Sequence, residues 1–194
     1  MGAQAALGFR VKSGWATAIL LVGPAQALRV ADRRVIELSD PAVPGTRQPY
    51  HAVMEATPRT GARLERRLVG LVRRAAKTSV RQLLKHYRGG GYRPVRAALV
   101  VGSVIDPAAI ANDHIRAHAL EGRLFRTALE QALRAEGLRC AIVVERGAYT
   151  LGAKSLRRSE HELRRAVTAL GRSVPGPWRA DEKTASLAAW MALR

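Results

Sequence analysis

The stretch AALGFRVKSGWATAILLVGPAQALRVADRRVIEL, residues 5–38, decides the fold. It holds three apolar or alternating runs, Ala5 to Val11, Trp15 to Val22 and Leu28 to Leu38. Between them stand Lys12-Ser13-Gly14 and Gly23-Pro24-Ala25-Gln26, both turn compositions. Runs this closely spaced are joined by short turns, which implies a three-stranded antiparallel meander.

Beyond the meander lies a proline-rich loop, from Asp40-Pro41 to Pro49-Tyr50-His51, and then the hydrophobic period changes. From Ala62 to about His86, apolar residues recur at Leu64, Leu68, Leu71, Val72, Ala75, Val80, Leu83 and Leu84, with arginines between them. That spacing predicts an amphipathic helix stopped by Gly89-Gly90-Gly91. These glycines follow a helix and lack a succeeding Lys-Ser or Lys-Thr, so they read as a helix stop and not a phosphate loop. The run Ala97 to Val104 predicts a strand buried on both faces, which suits parallel pairing. A second helix is expected from Asp113 to Glu136, a strand from Cys140 to Val144, and a last helix from Ala180 to Leu193. The arginine-rich stretch from Ser155 to Leu170 has no clear assignment. The order is three strands, helix, strand, helix, strand, helix, an α/β chain expected to form a single domain over residues 1–194.

Lysine plus arginine number 33 against 15 aspartates and glutamates, a net charge of +18. Such a balance points to polyanionic partners. Hydrophobic residues make up 47% of the chain, which argues against disorder. No apolar run approaches the roughly 18 residues a membrane span needs. The N-terminus has no basic segment leading into an apolar stretch, so the expected location is the cytoplasm. The lone Cys140 lies in an apolar run and reads as a strand thiol.

Several short segments resemble one family. Leu7-Gly8-Phe9-Arg10-Val11-Lys12-Ser13-Gly14-Trp15-Ala16 looks like the first hairpin of RNase H-like proteins of the Holliday-junction-resolvase and pre-ribosomal-RNA nuclease branch. Val100-Val101-Gly102 resembles that branch's fourth strand, Val144-Glu145-Arg146 its fifth-strand end, and Asp181 with Ala188-Ala189 its last helix. The resemblance implies a mixed sheet, the meander plus two parallel strands, with helices on both faces. It also implies a nuclease centre in which carboxylates at the strand ends hold Mg²⁺. This chain departs from that pattern: Arg10 stands where the first-strand aspartate belongs, and Gly102 and Ser103 stand where relatives carry an acid, with Asp106 close behind. A cation at a metal position is electrostatically adverse, so Mg²⁺ chemistry is in doubt and the acidic centre reads as degenerate.

The remaining chemical candidates are His118, Glu121, Glu145 and Asp181. His114, His118 and Glu121 are spaced i, i+4 and i+7, on one helix face in line with Phe125 and Leu129. Three readings of that face stand: hydrogen-bonded boundary residues, a catalytic or ligand-binding crevice shared with Glu145, or a helical metal site. Asp181 can equally be an acid favoured by its place in a first helical turn.

For nucleic acid, the candidate contacts are Arg66, Arg67, Arg73, Arg74, Lys77 and Arg81 on the first long helix, and Arg172 and Arg179 around the last loop. An anionic membrane surface would suit the same basic helix. Trp178, in a loop of glycines and prolines, can stack on a base or plug the core. The expected function is therefore a nucleic-acid-associated protein, of RNA or DNA, with an altered nuclease centre. The alternatives are an enzyme built on the His/Glu/Asp crevice, with at most a single metal, and a non-catalytic assembly partner related to actin-like ATPases.

Overall fold

The computed structural model describes residues 5–24, 27–54 and 56–194. Residues 1–4, on which the absence of a leader was read, and Ala25-Gln26 of the second turn lie outside the described residues. The meander forms as β1 (Ala5–Lys12), β2 (Trp15–Val22) and β3 (Arg29–Glu37). β4 (Arg96–Val101) and β5 (Arg139–Val144) complete one sheet of order β3-β2-β1-β4-β5. β1 pairs antiparallel with β2 and parallel with β4, and β4 pairs parallel with β5. The first hairpin turns at Ser13-Gly14, where Gly14 takes φ +88°, a conformation glycine adopts without steric cost.

Period-two alternation sorts the side chains of the central strand. Leu7, Phe9 and Val11 pack into the core beneath α1 (Pro58–Gly89) and α2 (Asp113–Ala135), with Val72, Ala76, Phe125 and Leu129. On the opposite face Ala98, Val100 and Val143 pack against α3 (Ala148–Leu156), α4 (Glu160–Leu170) and α5 (Ala180–Ala192). α5 lies directly on β1 at Gly8: a Cβ built there would stand 1.8 Å from the carbonyl oxygen of Ala185 and 2.6 Å from the amide nitrogen of Ala189. Gly8 and the alanines of α5 thus let two backbones approach closely, and that approach sets where the first turn of α5 falls.

Beyond shifts of one residue at several ends, β4, α1 and the unassigned stretch differ from the sequence reading, each for a local reason. β4 stops at Val101, because β1 pairs with it only as far as Val100 and β5 ends opposite Val101, so Val104 and Ile105 have no partner strand and are exposed. α1 begins earlier, at Pro58, whose missing N–H is no loss in a first turn. The unassigned arginine-rich stretch is the end of α3 and all of α4. Arg157 in the left-handed region (φ 53°) ends α3, and Ser159 with Glu162 forms a capping box that starts α4.

Candidate functional site

Alternation along β1 turns Arg10 away from Phe9 and Val11 and toward α5. The residue is 5% exposed. Its Nε donates to Glu145 Oε1 at 3.1 Å, a second guanidinium nitrogen donates to Glu145 Oε2, and Nη1 donates to the carbonyl of Val11 at 2.8 Å. Glu145 directly follows β5, two strand spacings or about 10 Å from β1, a gap the long arginine and glutamate side chains close together. Asp181, in the first turn of α5, has Oδ1 3.7 Å from Arg10 Nε and 3.2 Å from Lys12 Nζ. Both carboxylates are therefore matched by cations of β1. The bidentate fork supplies the geometry a buried charge needs.

The residues at this place do not fit magnesium. Divalent magnesium takes carboxylate and water oxygens in an octahedral shell, and here a guanidinium fills the space between the two carboxylates. Gly102 and Ser103 bring no acid, and Asp106 uses Oδ1 to accept from the amide of Ala108 at 3.1 Å.

His118 and Glu121 belong to a second cluster, on the α2 side of the sheet. Glu121 is completely buried and accepts from His51 Nδ1 at 2.8 Å and from the His51 backbone amide at 3.4 Å. His118 Nδ1 lies 3.8 Å from the other oxygen, Oε2. The rings of His51, His114 and His118 sit against one another, with centroids 4.3 to 4.7 Å apart. His51 was not a sequence candidate, since it lies in the proline-rich loop outside any periodic pattern. That loop is held by the buried Thr46, whose hydroxyl accepts from the amide of Asp40 and lies 2.7 Å from the Val43 carbonyl, and by the buried Pro49. A crevice of about 240 Å³ at the ends of β1 and β4 is lined by one member of each cluster, Arg10 and His118, together with Lys12, Ser103 and Gly122. The four candidates are thus brought together as two pairs, Glu145 with Asp181 around Arg10, and His118 with Glu121 around His51.

The basic candidates are all exposed. α1 carries Glu65 as its only acid. Among the described residues its ion pairs are Arg81 and Arg88 with Glu136, just past the end of α2, which leaves Arg66, Arg67, Arg73, Arg74 and Lys77 without an acidic partner. On the opposite side of the molecule Arg158, Arg165 and Arg172 line a shallow depression on α4 beside Glu162. Arg179 precedes α5, where its amide donates to Glu182 Oε2 at 2.9 Å. Trp178 donates from Nε1 to the Val167 carbonyl at 2.8 Å and covers Gly171, where a Cβ would come within 2.3 Å of the indole. Its role here is to pin the loop onto α4.

No family model matches the chain, and no curated protein matches it. Solved structures do. Thermus thermophilus RuvC in complex with Holliday junction substrate is 11% identical, with 97% of this chain and 91% of that chain covered and a TM-score of 0.56. A second structure of Thermus thermophilus RuvC is 12% identical, with 96% and 92% covered and a TM-score of 0.56. No helix of the described residues is long and apolar enough to cross a membrane. With the sheet order, the parallel β4-β5 extension and the helices on both faces, these matches establish that the chain has the RNase H-like fold of RuvC.

Proposed function

We propose that the protein binds the phosphate backbone of structured nucleic acid through α1, and that its nuclease centre is closed by Arg10. The observation that carries this reading is the exposed face of α1, where a 32-residue helix presents cations with almost no acidic partners. At 1.5 Å rise per residue that helix is roughly 48 Å long, enough to follow more than one turn of a duplex. Arg172 and Arg179 extend the basic surface on the other side of the sheet. The RuvC structure with a Holliday junction makes branched DNA the first ligand to test. Arg10 supports the second half of the proposal, since a guanidinium between Glu145 and Asp181 competes directly with any divalent ion for the same oxygens.

The test is fluorescence anisotropy of a labelled four-way junction, a DNA duplex and an RNA hairpin titrated with nuclease-free protein across a salt series, with anionic vesicles as a separate arm. Engagement of six α1 cations gives log K falling against log salt with a slope of about −5. Absence of salt-dependent binding to every nucleic acid overturns the reading, and binding confined to the vesicles replaces it with a membrane surface. A second reading rests on the crevice that Arg10 and His118 share: an enzyme in which His118, with Glu121 behind it, moves a proton, while Glu145 and Asp181 act from the Arg10 side. Turnover of a substrate that His118→Ala abolishes with the fold intact would favour it.

A further inference from the structure

We propose that His51, His114 and His118 form a binding site for one divalent transition-metal ion of the zinc class, with Glu121 as the carboxylate behind the ligands. One ring nitrogen from each histidine lies within 4.8 Å of those of the other two. The Nε2 atoms of His114 and His118 are 3.2 Å apart. A tetrahedral ion held at about 2.0–2.1 Å by two imidazoles keeps their nitrogens roughly 3.3–3.4 Å apart, so this pair already stands at the separation a shared ion requires. The i, i+4 spacing on α2 supplies that pair, and the proline-rich loop brings in the third ring.

The hydrogen bonds of Glu121 supply the second, independent argument. The 2.8 Å contact sets His51 Nδ1 as the ring nitrogen that meets the carboxylate, so in the neutral ring with its proton there Nε2 is the lone-pair nitrogen. That Nε2 is buried and has no hydrogen-bond partner among the described residues. A buried imidazole lone pair without a partner costs free energy, and coordination to an ion removes the cost. Glu121 Oε2 is likewise buried and without a partner, and it faces His118 Nδ1 at 3.8 Å. A histidine that donates one ring N–H to a carboxylate while its other nitrogen binds an ion is the arrangement found behind metal-bound histidines, where the carboxylate fixes the tautomer and strengthens the ligand. Here the buried carboxylate holds His51 in that way, and its second oxygen stands beside His118 beyond hydrogen-bond distance.

An all-imidazole ligand set selects zinc, copper, nickel or cobalt over magnesium and calcium, which require oxygen. Three protein ligands leave a fourth position for water or an exogenous ligand, as in open zinc sites. His114 and His118 are exposed, so that position is open to solvent. The site depends on neither Arg10 nor α1.

The test is competition of the metal-free full-length protein against a chromophoric chelator for Zn²⁺, with Co²⁺ absorption as a report on geometry. The wild type is expected to bind one Zn²⁺, to give the visible bands of tetrahedral Co²⁺, and to ignore Mg²⁺. His114→Ala and His118→Ala, exposed changes that α2 tolerates, each lower zinc affinity by at least about 100-fold and remove the cobalt bands. Glu121→Gln lowers affinity about 10- to 100-fold while keeping one-to-one binding. His51→Ala is read together with a thermal melt, because Zn²⁺ raises the Tm of the wild type and not of the variant. Zinc affinity and cobalt spectrum unchanged in the His114→Ala/His118→Ala double variant overturn the site, as does a wild type that binds no Zn²⁺. Nucleic-acid affinity measured on the same variants stays at the wild-type value, so the two proposals fail separately.

Discussion

Arg10 and Glu145 stand 135 residues apart in the chain and meet through a two-point contact, Nε to Oε1 at 3.1 Å with a second guanidinium nitrogen on Oε2. The contact spans β4, and it puts a positive charge at the carboxyl ends of the strands, where an RNase H-like nuclease gathers negative ones. The same guanidinium reaches Asp181, so one residue of β1 ties the end of β5 to the start of α5.

Replacing Arg10 with alanine leaves two carboxylates facing each other without their buried cation. Breaking a buried pair from one side costs about 3–5 kcal/mol, and the partial exposure of Glu145 places this case near the lower figure. Urea unfolding at neutral pH should show a loss of about 3 kcal/mol. The double variant Arg10→Met/Glu145→Gln, which removes both charges, should recover much of it.

Gly8→Ala should be more damaging than its size suggests. A methyl group at this position meets the backbone of α5, which has no side chain to swing aside. A loss of about 3 kcal/mol or more is expected, larger than a usual overpacking cost, together with weaker docking of α5. Faster hydrogen exchange of α5 amides than of α2 amides would check this.

Tyr87 donates to Asp32 Oδ2 at 2.8 Å, and Arg34 donates to both oxygens of the same carboxylate. Burial alone raises the Asp32 pKa, but the bonds from Arg34 and Tyr87 together outweigh it and hold the value below the ordinary carboxylate range. A depressed folded pKa means that the stabilisation is complete above the unfolded value near 3.9 and is lost as pH falls through the folded value. The gap in urea midpoint between pH 7 and pH 3 should narrow in Asp32→Asn. Tyr87→Phe should cost about 1–2 kcal/mol at pH 7.

On α1, Arg66→Ala/Arg67→Ala should flatten the salt dependence of nucleic-acid binding by about two units of slope if both side chains contact phosphates. The fall in affinity should be similar for different base sequences, because phosphate contacts carry no sequence information. An unchanged slope would place the contact surface elsewhere, with Arg172 and Arg179 next to be replaced.

Cys140 is half-buried, and desolvation pushes its thiol up to about 11. At pH 8 roughly one thiol in a thousand is then ionised, so alkylation by iodoacetamide should be far slower than that of an exposed cysteine and should accelerate on unfolding. Mass spectrometry of timed samples with and without urea measures both rates.

The elements of this protein are written in local patterns. Closely spaced apolar runs make β1, β2 and β3, the 3.6-residue period makes α1 and α2, and the apolar runs Ala97 to Val104 and Cys140 to Val144 mark β4 and β5. The start of α4 was readable too, in Ser159 followed by Glu162, a signal that the surrounding arginines obscured. The net charge and its concentration on α1 also follow from the residues alone.

What the tertiary structure decided is which side chains meet. His118, Glu121, Glu145 and Asp181 all lie near the strand ends, as their positions in the chain imply. The sheet nevertheless separates them, because Arg10 projects toward α5 by period-two alternation while α2 packs on the opposite face. No local pattern records that Arg10 would neutralise two acids on other elements, or that a loop histidine at position 51 would join two histidines of α2. Secondary structure depends on neighbours a few residues away, whereas both polar clusters are assembled by contacts across dozens of residues, which exist only once the sheet and its helices have packed.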